Sequence, residues 1–417
     1  MTRQEPVRSL TSRPVGRRSL LGLLGAAPIA VGGAWALSGS ADTAAAAAAG
    51  SGSGASPVPA ELRPGGQLDQ LLAQMAAQDT FSGTVLIVDG QRRVVTRSYG
   101  MADQAKSVPN TDNTIFCLGS VTKMFTAVAV AQLVQQGKVA FDRKLGAYVD
   151  GFPSAVADNV TIHQLLTHTS GMGDYFGIDG YFTEAAKWNS AEQVMEGTLG
   201  FIRDAPLRFT PGTSHEYSNS GFATLGAVVA QVSGQSYYDY IRQHVFGPAG
   251  MTSSDFYTKP QWQADRRIAH PYTRQPSGQR VDIVDQRPLF IGRPDGDAFA
   301  SAPDLVRFAR ALLDGALLNP VYTELVLSPK YPVATLPAKP GEPGKPPLPA
   351  KSIYQAYGLF QNLVNGKWAA GHNGGNAGIS ANIEWYPHTR WIAVKLSNYD
   401  PEDTMPIDAT IQRILTQ

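Results

Sequence analysis

A serine precedes a lysine by three positions at Ser120 and Lys123, inside the string F-C-L-G-S-V-T-K at 116–123. The run that follows, 124–136, is apolar at helical spacing through Met124, Phe125, Val128, Ala131, Leu133 and Val134, and Gly137 ends it. On a helix, positions three apart share a face with Cβ atoms roughly 5–6 Å apart, so the Lys123 amine reaches the Ser120 hydroxyl. A serine at a helix start also carries a main-chain N–H with no intrahelical partner, and the dipole there favours developing negative charge. Nucleophile, neighbouring base and half an oxyanion site thus fit within one turn of chain. That is the local chemistry of acyl transfer to serine.

The pattern S-x-x-K also arises by chance, as a helix-start serine beside a solvated lysine, so two further strings carry weight. Tyr217, Ser218 and Asn219 spell Y-S-N within T-P-G-T-S-H-E-Y-S-N-S-G-F at 210–222. Residues 371–375 read G-H-N-G-G just before an alternating apolar strand. Three such elements in this order resemble those of the penicillin-recognising serine hydrolases. The chain resembles the class C β-lactamase-related proteins, a group that includes serine D-alanyl-D-alanine carboxypeptidases, esterases and D-amino-acid peptidases. Supporting strings are L-L-T-H-T-S-G at 165–171, A-S-A-P-D-L-V-R-F-A-R-A-L-L at 300–313, Y-G-L at 357–359 and L-S-N at 396–398. The resemblance runs from about residue 60 to 417.

That resemblance implies an α+β fold of the β-lactamase/transpeptidase type, an antiparallel sheet flanked by helices plus a mostly helical lobe. It implies Ser120 as nucleophile, with Lys123 and Tyr217 sharing the proton traffic and either one taking the first proton. Asn219 then binds a substrate amide or holds Lys123, and His372, Gly374 and Gly375 line the substrate strand. The N–H groups of Ser120 and Gly375 form the oxyanion hole. His372 departs from the lysine of many relatives; an unperturbed imidazole has a pKa near about 6.5, so its anion anchoring at neutral pH is weaker. No metal or cofactor is implied. The substrate is a small peptide or ester, with β-lactams as acylating ligands. A D-alanyl-D-alanine carboxypeptidase-like peptidase on cell-wall peptides comes first, an esterase of short acyl esters second. A β-lactamase needs fast deacylation, which motifs do not establish, and intact Ser120, Lys123 and Tyr217 argue against a purely binding or sensing protein.

Other reactive residues read as structural. Cys117 is the single cysteine, so no intrachain disulfide forms, and beside Ser120 it reads as a small buried packing residue. His163 and His168 lie on a short helix, the second bracing the following loop, and their spacing is not H-E-x-x-H. His215 reads as structural, and no G-x-S-x-G occurs.

The elements that must hold these groups follow from pattern. Residues 68–79 read as an amphipathic helix; 84–88 and 94–98 flank Asp89-Gly90 as a hairpin, and 359–364 and 367–372 flank Asn365-Gly366. Strands 379–386 and 391–396 and a closing helix at 406–416 complete a sheet joined by both ends of the chain, while 140–310 forms a helix-rich lobe. The Pro-rich stretch 332–349 reads as an exposed loop. With 417 residues at 43% hydrophobic content the chain can bury a large core, and net charge +1 without a basic stripe argues against nucleic acid as partner. Arg17-Arg18 opening an apolar stretch to Leu37, then small residues at 44–49, reads as a twin-arginine export signal over 1–49. Its removal, five arginines against Glu5 and Asp42, leaves net charge −2 and no stable membrane span. Residues 50–60 read as a flexible tether before the catalytic domain at 61–417.

Overall fold

Asn-Gly and Asp-Gly turns between apolar runs dictate hairpins, and both expected hairpins are present in the computed structural model, which describes residues 58–90, 92–341 and 348–417. The segments expected as export signal and tether lie, up to residue 57, outside the described residues. Residues 58–60, expected as tether, instead enter the fold: Val58 packs on the outer core and Ala60–Leu62 forms a 3-10 turn.

The main sheet has eight strands: β1 (Gly83–Asp89), β2 (Arg92–Tyr99), β3 (Tyr331–Leu336), β4 (Lys351–Gln355), β5 (Phe360–Val364), β6 (Lys367–Asn376), β7 (Ile379–Tyr386) and β8 (Trp391–Ser397). Their spatial order is β2-β1-β8-β7-β6-β5-β4-β3, antiparallel throughout. The first and last thirds of the chain therefore meet at the β1–β8 pair. Asn365 and Gly366 both take positive φ, +50° and +78°, as a two-residue turn matched to strand twist requires.

Both sheet faces are covered, which explains the unbroken apolar run Val85–Val88 in β1. Successive side chains point to opposite faces. Val85 and Ile87, with Trp391 and Ala393 of β8, pack with helices α1 (Gln67–Ala77) and α7 (Pro401–Leu415). Leu86 and Val88, with Ile392, Val394 and Leu396, join the larger core shared with the helical lobe. At the centre of that lobe is α2 (Thr122–Gln135), buried over Thr122–Leu133, as a helix apolar on all sides must be. Against it lies α4 (Asn219–Ser233); α3 (Ala191–Arg203), α5 (Ala302–Leu313) and α6 (Pro320–Leu327) complete the longer helices.

Two expectations are corrected. Residues 332–336 of the Pro-rich stretch belong to edge strand β3, paired with β4, which the sequence reading did not contain. An edge strand tolerates Pro332 because one side of its backbone needs no donor. The closing helix starts at Pro401 rather than 406: Asp400 precedes it, Pro401 presets its first turn, and Pro406 lies within it. Among the described residues no helix is long and apolar enough to cross a membrane.

Candidate functional site

Ser120 stands on a short 3-10 turn, Gly119–Val121, that runs straight into α2. The turn is pinned to the segment 297–298. Thr122 Oγ1 donates to Gly119 O (2.7 Å) and accepts from Ala298 N (3.0 Å), and Asp297 N donates to Gly119 O (3.1 Å). Gly119 has φ +50°, a conformation that strains any side chain, and a Cβ there would press on Gly375 N at 3.1 Å.

Lys123 is fully buried one turn on and uses its three protons on three acceptors: Ser120 Oγ (3.1 Å), Asn219 Oδ1 (2.7 Å) and the main-chain oxygen of Asp295 (2.5 Å). Burial pulls its pKa from 10.5 down to about 8, against the opposing pull of Asp295 and Asp174. Tyr217 offers the amine its ring face, 4.8 Å from Nζ to the centroid, and its phenol lies close enough to Ser120 for that hydroxyl to pull its pKa down against the larger rise from burial. Burial holds that phenol neutral, well above its ordinary pKa. Lysine and tyrosine thus converge on one hydroxyl.

The Tyr217 segment is held from behind. Ser218 caps α4, accepting from Gly221 N (3.0 Å) and donating to Gly173 O (2.9 Å). His168, at φ +57°, accepts from Ser218 N through Nδ1 (3.1 Å), and its ring lies 4.4 Å from that of Tyr217. This histidine braces the Y-S-N segment, some fifty residues on, rather than the loop that follows it. Asn219 has both ends of its amide engaged, Oδ1 by Lys123 and Nδ2 by Asp174 Oδ2 (2.8 Å).

The third string is β6. His372 and Gly374 share parity with Ala370, which faces the helical lobe, so both point toward Ser120. A Cβ on Gly374 would lie 1.9 Å from Leu118 O and 2.9 Å from Ser120 N. Only glycine lets the strand approach the Ser120 turn this closely. Gly375 lies beside Gly119 on one side and Pro401 on the other. His372 is 3% exposed, its ring 6.4 Å from Tyr217 and 5.1 Å from Phe360. Its Nδ1 donates to Asn373 O, and Nε2 is buried with no hydrogen-bond partner among the described residues. Burial first, then the Lys123 charge, lowers its pKa to about 3. The ring is a neutral acceptor at physiological pH.

Ser120, Lys123, Tyr217, Asn219, His372, Gly374 and Gly375 therefore meet in one place. Sequence reasoning missed Asp174, Tyr175, Arg293 and Asp295, which stand behind Lys123. No spacing signal marks them, because they reach the lysine only through the Asn219 amide and a main-chain carbonyl. Cys117 is buried, with Sγ 3.5 Å from Asp297 Oδ1, and burial pushes its thiol well above the ordinary range. His215 stacks on Tyr331 at the start of β3, 5.3 Å between centroids. A groove of about 620 Å³ lined by Ile178, Trp188, Gly197, Gly200 and Phe201 opens on the helical lobe, and Ser120, Lys123 and Tyr217 do not line it. Among the described residues no group of three or more His, Cys, Asp or Glu side chains is arranged to hold a metal ion.

The chain belongs to the β-lactamase family: the Beta-lactamase family model matches residues 68–417, a span that includes every residue of this cluster. Within that family the chain is similar to a putative penicillin-binding protein, PbpX, of Bacillus subtilis, with 29% identity over 63% of this chain and 62% of that protein. It is also similar to the esterase EstB of Burkholderia gladioli, with 32% identity over 58% of this chain and 61% of that protein. The matched region thus spans about three-fifths of the length of each of these two relatives. A solved penicillin-binding protein from Bacillus halodurans superposes with a TM-score of 0.69 at 29% identity, covering 82% of this chain and 99% of that one.

Proposed function

We propose that the protein is an exported serine hydrolase that works through an acyl-serine intermediate on Ser120. The observation that carries this reading is the convergence of Lys123 Nζ and the Tyr217 phenol on Ser120 Oγ. Ser120 Oγ attacks the substrate carbonyl carbon, and its proton passes to the Lys123–Tyr217 pair. A lysine brought to about 8 by burial is neutral often enough near neutral pH to accept it. The carbonyl oxygen, now anionic, is received by the N–H groups of Ser120 and Gly375. The proton then goes to the leaving group, the acyl-serine ester remains, and water hydrolyses it with the same pair as base. Asn219 holds the lysine, and the twin-arginine segment supports export.

The substrate proposed is a cell-wall peptide, cleaved as by a D-alanyl-D-alanine carboxypeptidase, with β-lactams as acylating ligands; similarity to penicillin-binding proteins supports this. The second reading is hydrolysis of short acyl esters. It is favoured by His372, which offers a neutral acceptor where a substrate carboxylate would need a cation, and by the likeness to an esterase. The test is exposure of purified protein to a fluorophosphonate and to a penicillin, then mass spectrometry. The expected adduct lies on the peptide containing Ser120. Labelling elsewhere, with Ser120→Ala still active, refutes the reading. A panel of a D-Ala-D-Ala peptide, a p-nitrophenyl ester and a chromogenic cephalosporin separates the substrate classes.

A further inference from the structure

The turn that begins at Asp174 touches the partners of Lys123 by two routes. Asp174 Oδ2 accepts from Asn219 Nδ2 (2.8 Å), and Oδ1 accepts from Phe176 N (3.0 Å). The next residue, Tyr175, donates its N–H to Ser220 Oγ (3.0 Å) and its phenol proton to Asp295 Oδ2 (2.7 Å). Asp295 in turn offers its main-chain oxygen to Lys123. Arg293 stands behind this pair, 3.4 Å from Asp295 Oδ1 and donating to the Tyr175 phenol.

The Asn219 amide between Asp174 and Lys123 has one donating end and one accepting end. An ionised carboxylate only accepts and an ammonium only donates. One orientation therefore satisfies both neighbours, nitrogen toward Asp174 and oxygen toward Lys123. The reverse would set oxygen against carboxylate and NH₂ against ammonium, losing two hydrogen bonds and creating two repulsive contacts. Without Asp174 the ammonium form of Lys123 still selects this orientation, but the neutral amine, which can accept as well as donate, does not. We propose that Asp174 is a positioning residue, which sets the orientation of the Asn219 amide and through it holds the Lys123 amine within reach of the Ser120 hydroxyl. This rests on the reading of Lys123 as part of the proton-transfer pair of an acyl-serine enzyme.

Electrostatics add a second signature. The charged and titratable groups around Lys123 are Asp295, Asp174, Asp297 and Arg293, with His168, His372 and Tyr217 also beside it. Those around Asp174 are Asp295, Lys123 and Tyr217, and burial raises the Asp174 pKa. The Asp174 charge favours the ammonium form of Lys123, so its loss lowers the lysine pKa and moves the acidic limb of acylation to lower pH. A base that reacts neutral is then available earlier but less well aimed.

The experiment uses full-length wild type, Asp174→Asn, Asn219→Ala and the double variant. Each is checked by thermal denaturation and assayed for acylation by p-nitrophenyl acetate from pH 5 to pH 10. Asparagine keeps the shape of Asp174 but accepts or donates, so it no longer dictates the amide orientation. The high-pH plateau of Asp174→Asn should fall by about 10-fold, equivalent to about 1.4 kcal/mol of barrier, and its acidic limb should move down by about one unit. In the Asn219→Ala background the further plateau loss should shrink to about 2-fold or less, because groups acting through one another are non-additive. An unchanged plateau, or a full loss that persists in the Asn219→Ala background, overturns the proposal. If Asp174→Asn does not fold, Asp174→Ser carries the same comparison; failure of both to fold makes Asp174 a structural residue and also overturns it. Acylation of Ser120→Ala at the wild-type rate would instead remove the acyl-serine reading itself.

Discussion

Replacing Gly374 by alanine should cripple the enzyme while leaving it folded. The added Cβ would stand 1.9 Å from Leu118 O and 2.9 Å from Ser120 N, both main-chain atoms of the nucleophile turn that no rotamer change can move aside. Carbon–oxygen contacts settle at about 3.3 Å or more, so β6 must recede from the turn by about 1.4 Å. Such a shift carries the neighbouring Gly375 N–H out of range of an oxyanion held at Ser120. Loss of one such donor costs about 100- to 1000-fold in kcat, and a misplacement of about 1 Å alone costs about 100-fold. Stability should fall by only about 1–3 kcal/mol, the usual cost of overpacking. Gly375→Ala is the internal control. Its Cβ would meet the ring of Pro401 at 2.9 Å, on the other side of the strand from the Ser120 turn, and should cost less activity than Gly374→Ala. The assay is kcat on a p-nitrophenyl ester and the rate of fluorophosphonate labelling, alongside thermal denaturation. A folded Gly374→Ala enzyme within about 3-fold of wild type would refute the argument that this strand supplies the oxyanion donor.

Lys123→Ala and Tyr217→Phe should each remove most of the activity and the double variant little more, since both act on one hydroxyl; multiplicative losses would make one of them merely structural. If Lys123 takes the first proton, acylation should rise with pH through about 8, because burial has brought its pKa down from 10.5; stopped-flow ester hydrolysis with a limb near the ordinary lysine value would refute this and leave Tyr217 as the first base. His372→Lys replaces a buried neutral acceptor with a cation. Comparison of kcat/KM at pH 7–8 should show turnover retained or improved on a peptide bearing a carboxylate and reduced on a neutral ester. An unchanged ratio would show that residue 372 does not contact substrate.

Much of this protein was legible as pattern. The helix after Ser120, the hairpins at Asp89-Gly90 and Asn365-Gly366, and the two strands that follow Gly375 are local consequences of apolar periodicity and turn chemistry. Ser120, Lys123, Tyr217, Asn219, His372 and the glycines of β6 could be singled out because each belongs to a short string whose residue types imply a task. The sequence by itself also determined the charge balance and the solitary cysteine, whereas the close approach of β6 to the Ser120 turn that demands glycine at 374 is a tertiary fact.

Other features exist only after the chain has closed on itself. The edge strand β3 is a strand because β4 offers it partners, although Pro332 and the proline-rich continuation after it read as loop. Asp174, Tyr175, Arg293 and Asp295 gather behind Lys123 across separations of up to 172 residues, joined to it by an amide and a carbonyl that no motif records. The lowered pKa of Lys123 and the neutrality of His372 are likewise tertiary properties. Both arise from burial, and burial is set by what the other elements cover rather than by neighbours in sequence.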